Sequence, residues 1–265
     1  RNLNEAYWTN YQHRMFSVEL SEAQTQAWVA RCREEGVTVN SALTAAFVGA
    51  QYSVQGDKPY HSSIAVGGNL RDRLQRAAGE VMGFYAGGVT LKYKYNTGVG
   101  FWENARTVHR KLKPLYTNKN LFAEPVTWCY LAPGIMESLP FKMIGGLVPP
   151  HASRYHKLSE FSGRNDVVSS ILKREKMDSL DRIIIGTAVT NLTRLDFPRQ
   201  YGPLELDRLI MHPGGAFPLA NVNLVLGAVT CAGRLSLVLE YAEETVDTGT
   251  MERVRDQAME FLLNE

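Results

Sequence analysis

The sequence has no apolar run of the roughly 18–20 residues that a membrane-spanning helix needs. Its densest apolar stretches are as short as Ile183-Ile184-Ile185 and Leu224-Val225-Leu226, so it offers no candidate span. Cysteine is scarce. Cys32, Cys129 and Cys231 are odd in number and widely spaced, which argues against a disulfide framework and for a reducing, cytoplasmic setting. No secretory pattern opens the chain, so Asn191-Leu192-Thr193 is read as a chance match to a glycosylation acceptor. A dominant charge sign is also lacking: the net charge is +2, which leaves no electrostatic footprint for nucleic acid.

Signature chemistry is equally absent. No Gly-x-x-x-x-Gly-Lys-Ser/Thr loop is present to cradle phosphates. Gly98-Val99-Gly100 lacks the third glycine of a dinucleotide turn, and there is no glycine–serine nucleophile elbow. His151 and His156 are five apart, on different faces of any helix, with no cysteine pair or glutamate at ligand spacing, so no metal site is assigned. The six histidines stand alone, and none has a carboxylate at a local spacing that would orient it as a base. No catalytic residue is therefore assigned. His109-Arg110-Lys111-Leu112-Lys113 reads first as a solvated helix face; the sharper alternative is a set of cations for the phosphates of a coenzyme or carrier arm.

What is present is a chain of 265 residues, 45% hydrophobic and 21% charged, able to bury the core of one large domain or two small ones. Residues 14–20 read as a strand, and Ser21 with Gln24 as a capping box. The helix that follows places Ala23, Ala27, Trp28 and Cys32 on one face and ends at Gly36. Residues 40–54 form a second helix, with small residues Ala42, Ala45, Ala46 and Gly49 for close packing on a sheet. Residues 62–66 read as a short strand before a turn-like Gly67-Gly68-Asn69, and 84–95 as a longer strand. A helix over 101–116 frays at Pro114, glycine and proline break 117–160 into short pieces, and 183–191 is a strand. The clearest part is a hairpin of 222–230 and 235–241 turning at Ala232-Gly233, then a helix carrying Met251, Val254, Ala258, Phe261 and Leu262. This order of elements is an α/β class fold, a mixed sheet flanked by helices.

Several segments in this order resemble the C-terminal half of the condensation-domain superfamily, the chloramphenicol-acetyltransferase-like fold. They are the helix start Gly36-Val37-Thr38-Val39-Asn40, the strand end Asn69-Leu70-Arg71, the segment Val81-Met82-Gly83-Phe84-Tyr85-Ala86-Gly87, which is similar to the family's Gly-x-Phe strand, and Thr190-Asn191-Leu192. One position departs: Gly87 stands where condensation domains usually carry Asn, which tells against peptide-bond formation. The family's His-His-x-x-x-Asp string belongs to the N-terminal half and does not occur in this sequence.

The resemblance implies residues 1–20 as an interlobe segment with the first strand, and 21–265 as the C-terminal lobe of an acyltransferase. The start at Arg1 reads as a cut near the lobe boundary. The donor would be acyl-coenzyme A or a phosphopantetheine thioester, with no tightly bound cofactor. The acceptor would be an alcohol or amine, the setting secondary metabolism, and the partners the missing N-terminal lobe and an acyl carrier protein. The alternative is a non-enzymatic binding or interaction module of the same fold. Gly83 and Tyr85 either line the substrate tunnel or are plain sheet residues with a core aromatic. Thr190 and Asn191 either bind the acyl carbonyl or its oxyanion or cap the following loop. Arg71 holds geometry near the tunnel through charge-assisted bonds or touches substrate, and Asp196 fixes a loop.

Overall fold

The first elements follow from local chemistry. In the computed structural model, which describes residues 13–76, 78–129, 185–214, 222–243 and 245–264, strand β1 (His13–Leu20) runs into Ser21. The Gln24 amide donates to the Ser21 hydroxyl and the Ser21 amide donates back to the Gln24 side chain. This reciprocal cap starts helix α1 (Glu22–Glu34), and Gly36, at φ +66°, ends it. The buried face of α1 is Thr25, Trp28 and Cys32, whereas Ala23 and Ala27, expected there from periodicity, are exposed. The reason is the Thr25 hydroxyl, which donates to the Leu20 carbonyl and accepts from the Leu235 amide at 3.0 Å, turning the helix toward that strand.

Helix α2 (Val39–Gln55) begins at Thr38, whose hydroxyl accepts from the Ser41 amide, and ends at Gly56. Residues 41–52 are buried without a break, as expected of a helix enclosed on all sides. Gly49 serves a close approach, but to an aromatic ring rather than to the sheet: a Cβ there would stand 2.7 Å from Tyr95.

The remaining elements are β2 (Ser63–Asn69), β3 (Ala86–Lys92), α3 (Phe101–Leu112), α4 (Asn118–Cys129), β4 (Ile185–Leu195), the two-residue strands β5 (Gln200–Tyr201) and β6 (Leu204–Glu205), β7 (Val222–Cys231), β8 (Arg234–Ala242) and α5 (Thr248–Asn264). Six strands form one sheet in the order β1-β8-β7-β4-β2-β3; β2, β4 and β7 are parallel, and the outer pairings are antiparallel. Gly67 and Gly68, expected in a turn, continue β2 and pair with Gly88 and Gly87. Strand β3 is shorter than the 84–95 expected, and α4 is a continuous helix inside 117–160, where glycine and proline predict only short pieces. The hairpin β7–β8 turns at Ala232 and Gly233, at φ +49° and +79°, the left-handed pair that a tight hairpin requires.

One face of the sheet holds the main core, with Leu224, Leu226, Leu237, Leu239 and Tyr241 under the helices. Helix α5 closes it with Met251, Val254, Ala258 and Leu262, while Phe261 stacks on Phe101 at 5.1 Å. The opposite face of β7 and β8 is buried too, at Val225, Val229 and Val238. There the segment 206–214 lies directly on the sheet: a Cβ on Gly227 would stand 2.9 Å from the Met211 carbonyl oxygen. A polar chain crosses the core between α2 and the sheet. Gln51 donates to the Thr187 hydroxyl, Asn223 to Gln51 at 2.7 Å, and Gln55 links Asn223 to the His61 ring. Residues 141–150, His151 and His156 lie outside the described residues.

Candidate functional site

Strands β2 and β4 are parallel neighbours, so their carboxyl ends share one edge of the sheet, and antiparallel β3 starts there. Ligands of open α/β sheets characteristically bind beyond such carboxyl ends. The loop from β2 to β3, which carries Arg71, Gly83 and Tyr85, and the end of β4 with the loop leaving it, which carry Thr190, Asn191 and Asp196, both lie toward this edge.

The β2–β3 loop is held at its base. The Leu70 amide donates to the Tyr85 carbonyl at 2.8 Å, and the Arg71 amide donates to Asn69 Oδ1. The Arg71 guanidinium donates to the Gly79 and Val81 carbonyls and lies 4.3 Å over the Tyr85 ring. Its partners are neutral groups; among the described residues no carboxylate pairs with it, and Asp72 accepts instead from Asn69. Gly83 sits in a bend before β3, and Tyr85 directly precedes the strand. The residues on either side of Gly83 are apolar and bare: Met82 is 96% and Phe84 85% exposed.

On the neighbouring strand, Thr190 alternates away from Thr187 and Val189, which face the helices. It stands beside Gly67, where a Cβ would lie 3.9 Å from the Thr190 hydroxyl. Asn191 Oδ1 accepts from the Thr193 amide at 2.7 Å, where β4 loses register and Thr193 takes φ +61°. The Asn191 carboxamide thus braces the local irregularity. Asp196 is apart from these groups, in an exposed pair with Arg194 at 2.6 Å. The structure therefore joins Arg71 to Tyr85 and sets Thr190 against Gly67, while Asp196 joins neither.

Other contributors lie outside the candidate site residues, among them Gly87, the position that departs from the family's Asn. Gly68 and Gly87 pair across β2 and β3, and the first turn of α4 sits on them. A Cβ on Gly87 would lie 2.1 Å from the Leu121 carbonyl oxygen, so the helix backbone occupies the place of a side chain at this position. The Tyr116 hydroxyl, held protonated because burial pushes it up to about 12, donates to the Gly67 carbonyl at 3.1 Å. The doubled glycines at 67–68 and 87–88 are the one sequence feature that marks this seat.

Proton-accepting groups are few. His61 is buried, with one ring nitrogen against the Gly56 carbonyl, and burial pushes its imidazole down to about 4. His109 Nδ1 meets the Ser41 hydroxyl at 3.3 Å. His212 Nε2 lies 3.5 Å from a carboxylate oxygen of Glu240, a carboxylate 28 positions away along the chain that local spacing could not show. Burial pushes the Cys32 thiol up to about 12, which makes it a poor nucleophile. The basic face of α3 is largely engaged: Arg106 pairs with Glu35 and Glu103, Arg110 with Glu103, and Lys111 lies over Tyr93. Among the described residues no three metal-ligating side chains converge, and no helix is long and apolar enough to cross a membrane.

No protein-family model matches the sequence, and no curated protein matches it either. Solved structures do match in fold, and they are condensation-domain and chloramphenicol-acetyltransferase-like structures; the chain has the fold of one lobe of that two-lobe architecture. It is similar to the epimerization domain from the third module of tyrocidine synthetase B, with a TM-score of 0.56 at 11% identity, covering 96% of this chain and 49% of that one. Polyketide synthase associated protein 5 from Mycobacterium tuberculosis matches with a TM-score of 0.54 at 14% identity, covering 96% and 53%. The trichothecene 15-O-acetyltransferase from Fusarium sporotrichioides matches with a TM-score of 0.53 at 12% identity, covering 95% and 46%. The chain thus spans about half the length of these structures.

Proposed function

We propose that the chain is the C-terminal lobe of a condensation-like acyltransferase. In the complete protein an acyl group would move from a coenzyme A or phosphopantetheine thioester to an alcohol or amine. The observation that carries this reading is the fold match, which takes in 96% of this chain but only 49% of its structural neighbour. One neighbour is named as an O-acetyltransferase, and others as condensation domains.

In such a transfer a base removes the acceptor's proton, the freed oxygen or nitrogen attacks the thioester carbonyl, and the thiolate leaves and regains a proton. The base belongs to the complementary lobe in this reading. The part of the present lobe is to form a wall of the tunnel and to meet the oxyanion with a donor such as the Thr190 hydroxyl. Arg71 keeps the Gly83–Tyr85 segment in place from below, and Asp196 steadies the loop that leaves β4. The Leu121 backbone at Gly87 leaves no room for the Asn usual in condensation domains, which counts against peptide-bond formation.

The test is a thiol-release assay on the chain by itself, with short and long acyl-coenzyme A donors and simple alcohols and amines. General-base assistance is worth on the order of 10²–10⁴ in rate, so turnover is expected to stay at the blank. Binding of a nonhydrolysable acyl-coenzyme A analogue, weakened by Thr190→Val, would support the tunnel-wall role. Turnover above the blank that disappears with His212→Gln would overturn the reading, because His212 is the described histidine that a carboxylate faces. Binding of a carrier domain with no affinity for any thioester would favour the interaction module instead.

A further inference from the structure

We draw no further inference here: the strongest candidate, the exposed apolar tip at residues 81–84 of the loop between β2 and β3, carries none because nothing in the structure shows what covers it.

Discussion

Replacing Gly87 by alanine tests how α4 is seated on the sheet. The added methyl would lie 2.1 Å from the Leu121 carbonyl oxygen and 2.9 Å from its carbonyl carbon. Even a close carbon–oxygen contact sits at roughly 3.3 Å, so the first turn of α4 or strand β3 must retreat by about 1 Å. Both obstacles are backbone atoms, which cannot swing aside as a side-chain end can. Overpacking of this kind costs about 1–3 kcal/mol. Against it stands the ~0.4–1 kcal/mol gained because alanine restricts the unfolded chain. A net loss of about 1–2 kcal/mol is expected, and for a chain of this size that lowers Tm by roughly 2–8 °C. Gly67→Ala is the control: it lies on the partner strand, its nearest contact is the Val189 carbonyl oxygen at 3.5 Å, and neither glycine has a left-handed φ. It should melt with the parent or slightly above. Thermal unfolding by circular dichroism gives the comparison, and hydrogen exchange should quicken in residues 118–129 of the Gly87→Ala protein alone. A Gly87→Ala protein that melts at or above both others would refute the seating of α4 on the glycine pair.

Three other outcomes follow from named contacts. Arg71→Ala should cost about 1–2 kcal/mol through its lost carbonyl bonds and ring contact, with little salt dependence because the partners are neutral. Arg73, bonded to exposed Asn118, should matter by no more than about 0.5 kcal/mol. Thermal melts and limited proteolysis of the β2–β3 loop check this, and an unchanged Arg71→Ala protein defeats it. His61 titrates near 4 when folded against 6.5 when exposed, so the unfolded chain takes up the extra proton between those values. Its contribution is complete above pH 6.5 and is lost as pH falls to 4, about 3 kcal/mol in all. Urea midpoints at pH 7 and 4.5 should therefore fall further for the parent than for His61→Gln; equal falls contradict the assignment. Finally, Val81 at 65%, Met82 at 96% and Phe84 at 85% exposure should make the chain bind a hydrophobic dye or self-associate. Met82→Asp with Phe84→Asp should reduce both effects, and a strictly monomeric parent without dye binding would contradict an exposed apolar loop.

The features read correctly from sequence are those whose partners are close in the chain. Ser21 and Gln24 satisfy each other three residues apart, and the Ala232-Gly233 turn needs only its own left-handed backbone. The stripe Met251, Val254, Ala258 and Leu262 declares its face by spacing alone. The errors have a common physical origin. Periodicity counted Ala23 and Ala27 as core, but it cannot register that the Thr25 hydroxyl binds the Leu235 amide of a strand more than two hundred residues later. Gly67-Gly68-Asn69 carries a local turn signature, yet it stays in the strand because Gly87 and Gly88 pair with it. Pro125 argued for a break where α4 continues, since the sheet seat for the preceding turn is invisible from the helix's own sequence.

The candidate site lies at the less legible extreme for the same reason. Charge-assisted bonds are expected of Arg71, but its neighbours in sequence do not say which groups receive them; the fold supplies the Gly79 and Val81 carbonyls and the Tyr85 ring. Thr190 and Asn191 adjoin in sequence but part in role, because alternation along β4 turns Thr190 away from the helices while Asn191 braces the bulge that follows. His212 had no carboxylate within reach of local spacing, and the meeting of segment 206–214 with β8 brings Glu240 to it. A site at the end of parallel strands is assembled from loops whose neighbours are strangers in sequence. Its geometry is therefore decided by the strand order β7-β4-β2-β3 and by the glycines that let backbone replace side chain at the seam. Motif order along the chain reports that strand order, which is why the fold was recognisable while the partners of individual site residues were not.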